Sequence, residues 1–291
     1  MLKKLGYFFS LLFILSLSLE AKSLLYKVSS KTSTVYILGS IHLAKPELYP
    51  LAPEIEKAYR SSDVLVLELD PTSAESSASI QKSMFSLGLY PQGKSLSSQL
   101  SSKTYTALKH YAAKTGIQLD QMEGMRPWVV MLQLSVVEMM RLGYSPELGI
   151  DQHFLKKAKK DKKSIIELET AQEQMAVLSK DDKDFQDKLL FYTLKDMKEL
   201  EPILNEMFIS WKKGDASSFD EMMSKSIKED PSLIIIYDDI ITKRNYTMTA
   251  RIEGFLKTKK NYFVVVGSGH VVGKEGIISL LKKHGFTMTQ H

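Results

Sequence analysis

The run Val64-Leu-Val-Leu-Glu-Leu-Asp70 is almost unbroken in apolar residues. A strand of that composition needs cover on both faces, which is the situation inside a parallel sheet flanked by helices. Two later segments repeat the pattern, Ser164-Ile-Ile-Glu-Leu-Glu169 and Asn261-Tyr-Phe-Val-Val-Val266. The first two end in carboxylates, and the third ends at Gly267. Near the start, the alternating runs Leu24–Val28 and Thr34–Leu38 flank Ser29–Ser33 and read as a hairpin. Strands of both kinds in one chain indicate an α/β fold with a mixed central sheet flanked by helices.

The segments between the strands carry helical periodicity. Pro53 opens a helix that runs through Tyr59, and residues 75–142 are helical by period, with Pro127 in a first turn and Gly143 as a stop. A helix over about Asp151–Lys160 precedes the second apolar strand. From Ala171 to Leu256 helical patterns dominate, punctuated by Pro202, Gly214 and Pro231, and suggest a large helical insert or cap. A helix over about Lys274–His284 and a short strand after Gly285 close the chain.

At the N-terminus, Lys3 and Lys4 precede an apolar run over residues 6–19 and then Ala21, the order of a secretory signal. The expected division is a signal at residues 1–21 and an α/β domain at 22–291, with export to a periplasmic or extracellular location. The apolar run is shorter than the roughly 20 residues of a spanning helix, so membrane association is expected only through a signal left uncleaved. The chain has no cysteine, which removes disulfides, lipid-attachment cysteines and thiolate ligands from consideration. A net charge of +5 over 291 residues is a mild excess. Its lysines cluster at solvated helix ends such as Lys156–Lys163 and Lys257–Lys260, without interleaved aromatics, and no nucleic-acid partner is expected.

Candidate chemistry begins with two matched segments, Gly39-Ser-Ile-His42 and Gly267-Ser-Gly-His270. Each follows a strand, and ligand sites in open α/β sheets lie beyond the carboxyl ends of strands. Gly267-Ser268-Gly269 lacks the spacing of a dinucleotide fingerprint and the lysine of a phosphate loop. Glu68 lies among valines and leucines, where burying a carboxylate costs several kcal/mol unless a cation compensates it. Strand alternation places Asp70 on the same face as Glu68, where it can share a ligand; alternatively Asp70, just before Pro71, caps a turn. Glu169 reads either as a proton acceptor or as an acid at a helix start. Arg244, followed by Asn245, is either a carboxylate clamp or a surface residue. Asp151 and His153 begin a helix, where Asp151 suits an N-cap; Trp128 and Trp211 suit the core, and His110, His284 and His291 show no partner.

Two histidines and one carboxylate form a three-donor set of the kind that holds a catalytic divalent metal with positions left open for water. His42, Glu68 and His270 are the candidate ligands, a set used with zinc and with iron, manganese or cobalt. Ser40 and Ser268 lie beside the histidines, but no nucleophile-elbow sequence surrounds them, which argues against a serine esterase.

These residues together resemble the TraB/PrgY/GumN family, whose eukaryotic relatives include the Tiki proteases. The resemblance runs from about Tyr36 to Phe286 and rests on ordered motifs: Ile37–His42, Val66–Asp70, Arg126-Pro-Trp128, Gly149-Ile-Asp151-Gln-His153, Leu168-Glu169-Thr170, Trp211–Asp215, Arg244-Asn245 and Val266–Gly273. It implies a fold like that of the erythromycin-esterase and ChaN-like group. It also implies metal binding at His42 and His270, a catalytic or ligand role for Glu68, and supporting polar roles for Glu169, Arg244 and Asn245. The function expected is an exported metal-dependent hydrolase, a peptidase acting on peptide or protein substrates. The competing expectation is a non-enzymatic protein that sequesters a peptide or haem-like ligand at the same place.

Overall fold

A computed structural model describes residues 23–291, so the expected signal at residues 1–21 lies outside the described residues. One sheet contains β1 (Leu25–Ser29), β2 (Thr34–Ser40), β3 (Val64–Leu67), β4 (Ser164–Glu167), β5 (Tyr262–Gly267) and β6 (Met288–Gln290). Across the sheet the order is β4-β3-β5-β2-β1-β6. Strands β4, β3, β5 and β2 are parallel, whereas β1 runs against β2 and β6 runs against β1. The helices in chain order are α1 (Pro53–Arg60), α2 (Ala74–Leu87), α3 (Leu96–Gln99), α4 (Ser102–Thr115), α5 (Pro127–Arg141), α6 (Ile150–Asp161) and α7 (Ala171–Leu178). They continue with α8 (Lys183–Asp196), α9 (Leu200–Lys213), α10 (Ala216–Glu229), α11 (Ile234–Tyr237), α12 (Lys243–Phe255), α13 (Ser268–Val271) and α14 (Ile277–Lys283). The fold is α/β with a mixed sheet, as the strand patterns indicated.

All residues of β3 and β5 are buried because alternate side chains serve two cores. Leu65, Leu67, Phe263 and Val265 pack with Ile55 of α1, Phe154 of α6, Trp211 of α9 and Phe219 of α10. Val64, Val66, Val264 and Val266 pack on the opposite face with Met248 and Ile252 of α12 and Ile277 and Leu281 of α14. Full burial of each such aliphatic side chain contributes about 1.5–3 kcal/mol, which explains why these strands are apolar without alternation. A third core excludes the sheet. It joins Leu96, Leu108, Val130, Leu134, Leu190 and Leu194, from α3, α4, α5 and α8. The helices between residues 171 and 256 therefore divide among three places, with α8 in the third core and α9, α10 and α12 against the sheet.

Strand β5 comes late in the chain yet lies between β2 and β3. The two strands that precede the Gly-x-x-His segments thereby become neighbours, with Ser40 opposite Gly267. Parallel pairing also continues past the ends of β3 and β4, where Glu169 N donates to Glu68 O at 2.9 Å. Two carboxylate residues and two histidine loops are thus delivered to one sheet edge.

Of the two readings of Asp70, the turn is the one the fold adopts. Strand β3 ends at Leu67, and strand alternation lapses there. Asp70 instead closes a turn, accepting from Thr72 N at 2.8 Å and Thr72 Oγ1 at 2.6 Å, with Lys159 Nζ 3.0 Å from its other oxygen.

Candidate functional site

The two histidine loops are joined directly. Ser268 Oγ donates to Ser40 O at 2.9 Å, and Trp211 Nε1 donates to Gly39 O at 2.7 Å. A Cβ on Gly39 would lie 2.9 Å from Ser268 Oγ and 3.2 Å from its Cα, so glycine there permits the close approach of the loops.

His270 follows the end of β5 on the short α13 and is buried. Its Nδ1 lies 2.7 Å from Asn245 Oδ1, and Asn245 Nδ2 donates to Glu275 O at 2.7 Å. The second bond orients the amide so that its oxygen faces the imidazole. Nδ1 therefore carries the proton, and Nε2 presents its lone pair to the site. Burial lowers the His270 pKa to about 4; the Glu68 charge opposes that effect, and Arg244 reinforces it.

His42 lies at the mouth of the site, with its side chain 56% exposed. Its Nδ1 is 3.3 Å from Asp151 Oδ1. Burial acts to lower its pKa, but the Asp151 carboxylate beside it, with the Glu68 charge adding, lifts it to about 9. Asp151 is not the helix cap expected from its position, since Gly149 precedes the first turn of α6 as the cap residue. Gly149 packs on the histidine loop: a Cβ there would lie 2.3 Å from His42 O, and Ile150 N donates to Ile41 O at 3.0 Å. The Gly149-Ile-Asp151 segment thereby docks α6 against His42 and supplies its carboxylate partner.

Glu68 sits just past β3. Its Oε1 accepts from Gly267 N at 2.5 Å, and its Oε2 accepts from Arg244 Nη2 at 2.8 Å. Burial alone raises the Glu68 pKa. Charge on His270, His42 and Arg244, together with the Gly267 amide, outweighs burial and brings it down to about 2. Glu169, also buried, receives a two-pronged contact from Arg244, Nε to Oε1 at 2.8 Å and Nη2 to Oε2 at 2.6 Å. Gln174 Nε2 donates to Glu169 Oε2 at 3.2 Å. Thr170, not Glu169, caps α7, in a reciprocal capping box with Glu173. With both oxygens occupied, Glu169 holds Arg244 and is not placed as a free base.

Arg244 is therefore a partly buried carboxylate clamp. A π-helical turn, Asp238–Thr242, leads into α12, and Ile240 O in that turn accepts from Arg244 Nη1 at 2.9 Å. The structure brings His42, Glu68, Glu169, Arg244, Asn245 and His270 together at one edge of the sheet. It leaves His110, His284 and His291 elsewhere, and pairs His153 with Glu56 at 3.2 Å.

A Cβ on Gly267 would lie 3.2 Å from His42 Nε2, 3.3 Å from Glu68 Oε1 and 3.7 Å from His270 Cδ2. The three candidate ligands thus surround one small space that glycine keeps free. Among the described residues, no group of three or more His, Cys, Asp or Glu is close enough to hold a metal ion as the side chains are placed. The donor chemistry nevertheless suits a cation. His270 Nε2, a lone-pair acceptor, faces Glu68 Oε2 at 3.9 Å, so the two groups present adjacent donor atoms. Asp151, Glu68 and Glu169 bring three negative charges and Arg244 one positive; once His42 gives up its proton, the remainder matches one divalent cation.

A cavity of about 690 Å³ opens on this space, with His42, Glu68, Asp151 and Gln174 at one end and Ile80, Val136 and Met175 along its wall. A second, of about 550 Å³, lies behind Glu169 and Arg244. Helix α7 divides them, sending Gln174 and Met175 to the first and Glu173 and Val177 to the second. No described helix is long and apolar enough to cross a membrane.

The family model described as the TraB/PrgY/gumN family matches residues 24–290. The chain is similar to the uncharacterized protein YbaP of Escherichia coli strain K12, with 24% identity over 248 residues, 85% of this chain and 87% of that protein. It is similar to the same degree and extent to the uncharacterized protein YbaP of Shigella flexneri. No solved structure matches it.

Proposed function

This chain belongs to the TraB/PrgY/gumN family, and on that premise we propose that it is an exported metal-dependent hydrolase that cleaves peptide bonds. The observation that carries this reading is the convergence of His42 Nε2, Glu68 Oε1 and the His270 ring on the space kept by Gly267. Each imidazole has its Nδ1 against a side-chain oxygen, Asp151 for one and Asn245 for the other. That is the outer-shell arrangement that turns Nε2 toward a metal and raises its basicity.

His42, Glu68 and His270 would hold the ion. When bound, it would polarise a carbonyl oxygen and acidify a water. The remaining roles belong to the chain itself. Asn245 fixes the His270 tautomer, Asp151 orients His42, and Arg244, anchored on Glu169, orients Glu68. The apolar wall formed by Ile80, Val136 and Met175 suits an apolar side chain of an extended peptide.

Purified protein lacking residues 1–21 would be incubated with peptide libraries and manganese, cobalt or zinc, beside a His42→Ala, His270→Ala variant. The reading requires cleavage by the first and none by the second. Folded, metal-loaded protein that cleaves no peptide would overturn it. For export, N-terminal sequencing of the protein recovered from outside the cytoplasm should begin at Lys22.

One feature favours a second reading, a non-enzymatic binder at the same edge. Arg244 already neutralises one carboxylate charge, and the His42 proton offsets another, so the site tolerates the absence of metal. A binder would take up peptide or haem stoichiometrically with no turnover under any metal.

A further inference from the structure

A cavity larger than the one at the sheet edge lies in the helical third core. It measures about 1130 Å³ and lies between α4, α5 and α8. Its apolar lining comes from Ala107, Val137, Phe191, Leu194 and Met197. Five cations line it as well: Lys103, Lys114, Arg141, Lys195 and Lys198.

Glu138 is the one carboxylate in the lining, and it is buried and already engaged. It accepts from Arg141 Nη2 at 2.6 Å and from Tyr111 Oη at 3.1 Å. Lys195 pairs with Glu229 at 2.5 Å. Lys103, Lys114 and Lys198 have no ion-pair partner among the described residues. Lys103 Nζ stands 4.0 Å from the centre of the Phe191 ring, which holds its charge beside the apolar lining. Lys103 and Lys114 are eleven residues apart on α4, hence about 16 Å along its axis. The groove is therefore as long as a dodecyl chain, with unpaired positive charge toward either end.

We propose that this groove binds a single-chain anionic amphiphile, a free medium- or long-chain carboxylate. Its chain lies along Phe191, Leu194, Met197 and Val137, and its head group meets the unpaired positive charge at one end. An apolar channel alone accepts any oily chain; the lysines select the sign of the head. An anion that arrives with its own hydrocarbon matches both the unpaired cations and the apolar floor.

Isothermal titration of the protein with sodium dodecanoate below its micellar concentration tests this, with dodecyltrimethylammonium and acetate as comparisons. Saturable uptake of dodecanoate is expected, at least ten-fold tighter than the cationic chain and with no uptake of acetate. The triple substitution Lys103→Glu, Lys114→Glu, Lys198→Glu should weaken dodecanoate binding at least ten-fold, and Val137→Asp should do the same. All four positions are exposed, and circular dichroism confirms folding. The equally charge-altering Lys31→Glu, Lys82→Glu, Lys259→Glu should bind as the unaltered chain does. Equal affinity for both head groups, an unaffected triple variant, or binding only to phosphatidylglycerol vesicles and not to the monomer would each overturn the proposal.

Discussion

Asn245 Oδ1 lies 2.7 Å from His270 Nδ1, with both residues buried. The amide acts as a relay, since its nitrogen is fixed by Glu275 O and its oxygen consequently fixes the imidazole tautomer. In Asn245→Ala, His270 Nδ1–H and Glu275 O lose their partner. A buried polar group left unpaired costs about 1–3 kcal/mol, and chemical denaturation should register a loss of that order. Loss of an outer-shell partner also lowers metal affinity by roughly 10–100-fold, so a metal titration of the same variant should weaken by that factor. A variant that loses stability but binds metal unchanged would leave Asn245 a packing residue alone.

Arg244 should be the most costly of the site residues to remove. It holds two buried carboxylates, Glu68 and Glu169, and removing one partner of a buried ion pair costs about 3–5 kcal/mol. Arg244→Met keeps much of the volume and isolates the charge effect. Arg244→Lys should recover little, because an ammonium lacks the planar fork that meets both carboxylates. Urea unfolding of the three proteins would rank them, and a lysine variant as stable as the arginine protein would contradict this account of the clamp.

Much of this site is legible in the sequence because each strand ends in an abrupt change of chemistry. Val64–Leu67 passes into Glu68, and Tyr262–Val266 passes into Gly267. Asp151 is different. It sits in an ordinary helix-start position, and its contact with His42 spans more than a third of the chain, so only the fold reveals the pairing. The role of Glu169 is hidden for a related reason: Thr170 supplies the cap that local sequence assigns to the neighbouring acid. The third core was not legible either, because α3–α5 and α8 are separated in sequence by β4 and by α6 and α7. Periodicity identifies each helix but not its partner.

Without metal, stability should peak near neutral pH, because the two site histidines act in opposite directions. The folded state binds a proton on His270 only near pH 4, whereas the unfolded chain does so near 6.5. Stability therefore falls as pH drops from 6.5 toward 4, at up to about 1.4 kcal/mol per pH unit. The low pKa of Glu68 contributes stability above its ordinary value, and that contribution is lost as pH falls toward 2. His42 has the opposite sign: its contribution is complete below 6.5 and disappears as pH rises through about 9. Urea titrations in chelator at pH 4.5, 5.5, 7 and 9 should trace this profile. His270→Gln should flatten its acid limb, and an unchanged acid slope would assign that limb to other groups.

Gly267→Ala offers the cleanest separation of binding from folding. The backbone at Gly267 has φ −50° and ψ 137°, a conformation open to alanine. The obstacle is the space itself, since the added Cβ would stand 3.2 Å from His42 Nε2 and 3.3 Å from Glu68 Oε1. Those neighbours are side-chain ends, and His42 is half exposed, so a shift of a few tenths of an ångström relieves the contact. Stability should fall by about 1 kcal/mol, at the low end of overpacking costs. The space where His42, Glu68 and His270 converge would be lost, and metal affinity should drop at least 100-fold, as read by equilibrium dialysis. If Gly267→Ala retained full metal affinity, the ion would have to bind elsewhere, and the assignment of these three ligands would be wrong.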